Sequence, residues 1–185
     1  MSLPCSYLDV KILDLSRSLR HMDEVDQLIL AWGRERPDLD TGPMQVLSRV
    51  TRLARHLDRA RRRAFTTHQL ETWEFDVLSA LRRAGAPYEL SPGRLLHEML
   101  VTSGTMTNRV DRLVARGLVV RRPDPADRRG VLVRLSPAGR TVVDAALEAL
   151  LCSERELLAE LSVTDRDRLA SLLRVVVSRF DREVQ

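Results

Sequence analysis

The chain has 185 residues, about the length of one domain, and 44% of them are apolar, enough for a real core. Only 4% are aromatic, so that core has to be built from Leu, Val and Ala, which favours helices. The net charge is +4, mildly basic rather than histone-like, and no apolar run reaches the roughly 18 residues that a membrane helix needs, which excludes a bilayer-spanning helix.

Residues 1–21 read as an appended leader with a helical pattern, ahead of Met22, itself a plausible start. Asp9, Lys11 and Asp14 break its apolar stretch, so it is not a signal peptide, and the expected compartment is the cytoplasm. Over residues 23–36, Val25, Leu28, Ile29 and Trp32 recur at helical spacing, and Pro37 ends the helix. Pro43 opens the next, where Val46, Val50, Leu53, Leu57 and Ala60 form a seam suited to another helix. Its far side carries Arg49, Arg52, Arg55, Arg59 and Arg63, a pattern that fits a solvated face as well as a DNA-facing one. A third helix is expected over residues 70–83 with Phe75, Leu78 and Leu81 inward, closed by Gly85-Ala86-Pro87.

Ser91-Pro92 pairs an N-cap with a first-turn proline and opens a short helix to about Met99. Thr102 or Ser103 caps another that runs to Arg116, where Gly117 supplies a left-handed stop. Two short helices separated by a few residues make a helix-turn-helix signature. The period then changes. Residues 118–122 and 131–135 are rich in β-branched side chains around the Pro/Asp/Gly-rich stretch 123–130, which predicts a β-hairpin. Ser136-Pro137 caps a helix expected to reach about Leu161, and Thr164 is the expected cap of the last, with Leu169, Leu172, Leu173, Val176 and Val177 as its apolar stripe.

Residues 91–135 therefore read helix, turn, helix, strand, turn, strand, the order of a winged helix-turn-helix. The predicted fold is mainly α with a small β-hairpin wing. Its parts are N-terminal helices for dimerisation and a ligand pocket (22–66), a DNA-binding region (67–139), and C-terminal dimerisation helices (140–185). Residues 103–135 hold eight arginines against three aspartates, a net +5 that exceeds the charge of the whole chain. Residues 141–185 hold nine acidic and six basic residues, a net −3. A basic centre with an acidic tail fits a DNA reader with a separate association surface. Lys11 is the sole lysine, so the cations are nearly all guanidinium forks suited to phosphates and guanine edges, although a GC-rich coding sequence gives the same bias. The first turns of the second helix offer Ser103, Thr105, Thr107, Asn108 and Arg109, groups able to read base edges in a major groove, with Arg112 one turn on. The plain alternative is a capped helix with a polar face.

The run DRRGVLVRLSPAG (127–139) resembles the wing of the MarR (multiple antibiotic resistance regulator) family, and TSGTMTNRVDRL (102–113) resembles its recognition helix. The resemblance covers roughly residues 44–180. It implies an obligate homodimer, triangular in outline, with N- and C-terminal helices interleaved and two winged modules on a DNA palindrome. It further implies that Arg129 at the wing tip enters the minor groove while Asp127 holds the tip by pairing with a nearby arginine. A narrow minor groove concentrates negative potential, which suits a single arginine on a hairpin. Arg121, Arg122 and Arg128 would meet phosphates, setting register rather than sequence preference.

The runs WGRERPDLD (32–40) and EFDVL (74–78) are similar to the branch of that family that responds to urate and related small anions. That likeness implies a small anionic effector, urate-like or a carboxylate, with Trp32, Asp76, Arg83 and Arg109 as candidate contacts. The plain alternatives are that Trp32 is a core aromatic and that Asp76 is a partner of Arg82 or Arg83. The expected function is transcriptional repression relieved by that effector. A redox sensor using Cys5 is the rival switch; Cys152, beside Leu150 and Leu151, reads as core. The scattered His21, His56, His68 and His97, the two cysteines and the lack of a phosphate loop or nucleophile motif predict no metal, no cofactor and no enzyme. A non-specific architectural or RNA-binding protein would need exposed aromatics or distributed charge.

Overall fold

The computed structural model describes residues 22–127 and 130–181. Cys5, in the leader, and the wing arginines Arg128 and Arg129 lie outside the described residues. The elements run α1 (Glu24–Glu35), α2 (Met44–Thr67), α3 (Thr72–Arg83), β1 (Glu89–Leu90), α4 (Pro92–Met99), α5 (Ser103–Ala115), β2 (Val119–Pro123), β3 (Val131–Leu135), α6 (Pro137–Leu157) and α7 (Val163–Asp181). The chain divides into two compact units, one ending at Leu57 and the other beginning at Asp58, so α2 starts in the first and finishes in the second.

In the first unit Asp23 caps α1, accepting from the Val25 and Asp26 amides at 2.8 and 3.0 Å, while Asp26 accepts from the Asp23 amide at 3.0 Å. This reciprocal box satisfies donors that a helix start leaves orphaned. Arg49 ties α2 to α1 through Asp23 (2.8 Å) and Asp26 (2.7 Å). Val25 is buried, but Leu28, Leu30, Trp32, Val46, Leu47, Val50 and Leu53 are exposed.

The second unit holds the main core. Phe65 of α2 stacks on Phe75 of α3 with ring centroids 4.0 Å apart. Val77, Leu78 and Leu81 of α3 meet Leu95 of α4, Met106, Val110 and Leu113 of α5, Val119 and Val133 of the sheet, and Val143 and Ala146 of α6, all buried. The sheet is antiparallel in the order β1-β3-β2, with Val119 opposite Leu135, Pro123 opposite Val131, and Glu89 opposite Arg134.

Four details differ from the expectations. A third strand, β1, flanks the hairpin; two residues are too few to show a period, and the strand is held by burial of Leu90 and by Arg134 donating to Glu89 at 2.7 Å. The helix α6 ends at Leu157, short of Leu161. The cap of α7 is Ser162 rather than Thr164: its hydroxyl accepts from the Asp165 amide at 3.1 Å and donates to the Asp165 carboxylate at 2.6 Å, so the helix begins at Val163. Cys152 is exposed rather than in the core, because it sits about 200° around the helix from the buried Leu150.

Candidate nucleic-acid interface

The helix α5 is fixed from its inner face outward. Met106, Val110 and Leu113 recur at spacings of four and three and are buried, which leaves Ser103, Thr105, Thr107, Asn108 and Arg112 exposed and Arg109 half-buried. Thr102 caps the helix by accepting from the Thr105 amide at 3.3 Å, and Gly117, at φ +69°, ends it. The Thr105 hydroxyl lies 2.9 Å from that of Thr102, and the Thr107 hydroxyl donates to the Ser103 carbonyl at 3.1 Å. A side chain added at Gly104 would meet nothing within 4 Å, so the first turn is open on that side.

Two residues at the start of α3, which sequence reasoning missed, hold the arginines of α5. Trp73 presents its ring to both: the guanidinium carbons of Arg109 and Arg112 lie 5.4 and 4.7 Å from the ring centroid. Its indole N–H donates to Glu71 Oε2 at 2.7 Å, and Arg112 donates to the other Glu71 oxygen. These hydrogen bonds, that from Trp73 first, hold the Glu71 carboxyl below the usual carboxylate range. The signal available in the sequence was Trp73 itself, one of two tryptophans in a chain poor in aromatics. One turn beyond Arg112, at the C-cap of α5, Arg116 reaches the buried Glu74 at 2.5 Å and the Gln69 carbonyl at 2.8 Å.

On the wing, Arg121 of β2 pairs with Asp111 of α5 at 2.5 Å, and Arg122 is exposed. The turn is closed by Asp124 donating from its amide to the Gly130 carbonyl (3.0 Å) and by the Gly130 amide donating to the Asp127 carbonyl (2.8 Å). A Cβ at Gly130 would come within 2.8 Å of the Asp124 Cβ, so a bare residue suits this tight return. Asp127 is exposed at this turn.

The candidate effector residues are distributed unevenly. A cavity of about 640 Å³ in the second unit is lined by Asp58, Arg62, Glu71, Trp73, Asp76 and Arg109, among others. Asp76 and Arg109 therefore share one cavity. Asp76 receives Arg61 at 3.2 Å, rather than Arg82 or Arg83. Burial raises its carboxyl above the ordinary value, against the opposing charges of Arg61, Arg109 and Arg83. Arg82 instead donates to Asp144 at 2.8 Å, and Arg83 to Ser79 at 3.1 Å and Glu98 at 3.3 Å, beside a different cleft. Trp32 belongs to α1 in the first unit and is 45% exposed. Among the described residues no group of three metal-ligating side chains converges.

The sequence profile of the MarR family matches residues 68–130. The HTH-type transcriptional regulator PecS of Dickeya dadantii is 36% identical over 81% of this chain and 90% of its own length. The HTH-type transcriptional repressor NicR of Pseudomonas putida is 31% identical over 75% of this chain and 89% of its own. A mutant MarR from E. coli, crystallised with operator DNA, aligns with a TM-score of 0.60 at 26% identity, covering 79% of this chain and 97% of that one. A capped helix-turn-helix joined to a hairpin, in a chain that aligns with nearly the full length of these regulators, leaves one assignment: the chain belongs to the MarR family.

Proposed function

We propose that the chain is a cytoplasmic transcriptional regulator, acting as a repressor, that binds palindromic duplex DNA as a homodimer and lets go when a small anion binds. The observation that carries this reading is α5. It is an exposed polar helix with an amide, hydroxyls and two guanidiniums on its outer face, tied to α3 through Arg112 and Arg116 in its last turn and C-cap, beside an arginine-bearing hairpin. Such a helix fits the major groove, with Ser103, Thr105, Thr107, Asn108 and Arg109 toward base edges. Arg112, Arg121, Arg122 and Arg128 serve phosphates, Arg129 enters the minor groove, and Asp127 shapes the tip. Residues 22–66 and 140–185 supply association helices, and 67–139 the DNA-binding region. Support for association comes from α7, none of whose residues over 163–180 is buried in the single chain despite its apolar stripe. No helix among the described residues is long and apolar enough to cross a membrane.

The effector reading rests on the 640 Å³ cavity. Arg62 and Arg109 offer donors to oxyanions, Asp58 and Asp76 accept N–H groups, and Trp73 gives a flat wall, which together suit a planar, urate-like anion. Trp32 and Arg83 stay candidates on the family likeness alone. An occupant that favours one arrangement of the reading helices shifts the population away from the DNA-competent one.

Footprinting on the DNA upstream of the gene tests the function: the expected protection is a short palindrome with half-sites about one helical turn, roughly 34–36 Å, apart. Arg129→Ala is expected to weaken operator binding by about 1–3 kcal/mol while leaving the dimer intact. Wild-type affinity in that variant would remove the wing assignment. Calorimetry with urate, finding neither heat nor release of DNA, would remove the effector.

A further inference from the structure

Glu71 occupies the N-cap of α3, a position where Ser, Thr, Asp and Asn are the favoured residues. Its carboxylate is drawn across to another element: one oxygen accepts from the indole of Trp73 at 2.7 Å, the other from Arg112, 41 residues further on. Trp73 in turn packs against the core and backs the Arg112 guanidinium at 4.7 Å. The arginine of α5 nearest the end of its reading face is thus held between a flat ring and an anion.

We infer that Glu71 is an internal stand-in for a DNA phosphate: it holds Arg112 against Trp73 in the free protein and surrenders it to the backbone when α5 seats in the groove. This rests on the reading that α5 meets DNA. A carboxylate and a phosphate present the same pair of acceptor oxygens to a guanidinium fork, so the two compete for one site. The pair is about half exposed on both sides, 52% for Arg112 and 54% for Glu71, and exposed ion pairs are weak enough to exchange. Duplex DNA carries a dense line of phosphates and gains by releasing counterions, so it wins the exchange where the fit is complete. Glu71 therefore restrains binding to any duplex, and it does so through Arg112. Trp73 is the positioning residue that keeps the guanidinium aimed during the transfer. Both residues also line the 640 Å³ cavity, so an occupant there touches the same latch.

Anisotropy titrations of the full chain on its operator and on a scrambled duplex of equal length test this. Glu71→Gln is expected to tighten both by about three- to fivefold, the range of one exposed ion pair. Glu71→Ser, which keeps a strong helix cap, gives the same gain should the glutamine variant fail to fold. In an Arg112→Ala background the gain should vanish, whereas Glu98→Gln, which frees Arg83 instead, should change binding equally with and without Arg112. A gain at Glu71 that persists without Arg112 shows a bare charge effect and overturns the inference alone. A wild-type chain that ignores its operator overturns the DNA-binding reading and the inference with it.

Discussion

Glu74 is a carboxylate at 1% exposure in the middle of an apolar stripe, on the inward face shared with Val77, Leu78 and Leu81. Burying such a charge is tolerable only with a partner, and Arg116 supplies it from the end of α5, spending its other donor on the Gln69 carbonyl. Arg116→Ala removes that counter-charge and leaves the carboxylate with the Glu71 amide, which donates to it at 2.9 Å. Because Arg116 is itself 36% exposed, water can partly replace it, so the expected loss is about 2–3 kcal/mol, below that of a wholly buried pair. Urea denaturation measures it, and a loss under about 0.5 kcal/mol would mean the pair is ornamental to the fold. A residue of this kind is half-legible in a sequence. A glutamate on an inward stripe announces a buried pair, but nothing in the spacing says which of many arginines answers it. Trp73 stood out as a rare aromatic, but its role and that of Glu71 were hidden for the same reason, since the arginines they hold lie across the fold on α5.

Element by element, the strongest expectations had a local cause. Ser91-Pro92, Thr102, Gly117 and Ser136-Pro137 each act within one turn of where they stand, and the helix ends they mark fall within a residue or two of the reading. The misses have non-local or subtler causes: β1 exists only because β3 is there to pair with it, and Ser162 outcompetes Thr164 because both the amide and the carboxylate of Asp165 bond its hydroxyl. The junction between wing and α6 shows how tightly such elements are joined. The Ser136 amide donates to the Leu118 carbonyl at 3.0 Å and its hydroxyl to the Gly117 carbonyl at 2.7 Å, which brings α6 down onto the end of α5. A Cβ on Gly139 would lie 2.0 Å from the Leu118 carbonyl oxygen, a backbone atom that cannot swing aside. Gly139→Ala must therefore lift α6 from the strand, costing about 3 kcal/mol and misplacing the wing. The check is a thermal melt together with operator affinity; an unchanged melt would show that the helix start has slack the geometry does not suggest.

At the scale of the molecule, the apolar stripe of α7 was readable but its partner was not, since a chain's own sequence does not say whether a seam closes on itself or on a second copy. In the single chain Leu172, Val175, Val177 and Phe180 are 58%, 69%, 51% and 64% exposed, on a helix that buries none of its residues over 163–180. Left in water, that surface costs on the order of 25 cal/mol per Å², and a second copy offers an identical surface to meet it by two-fold symmetry. The same symmetry doubles α5 and its wing, and the affinity of a palindrome reader depends on both copies being held at one spacing. Leu172→Glu together with Val176→Glu places two charges on one face of α7, one turn apart, and in the paired helices like charges would confront each other. The expected product is a folded monomer by sedimentation, with the core of the second unit intact by circular dichroism and operator binding reduced by at least about a hundredfold, because each half-site must then be held alone. A variant that sedimented as a dimer would move the association surface away from α7. A monomer that kept its affinity would show that one helix and one wing suffice, and the palindrome would lose its physical reason.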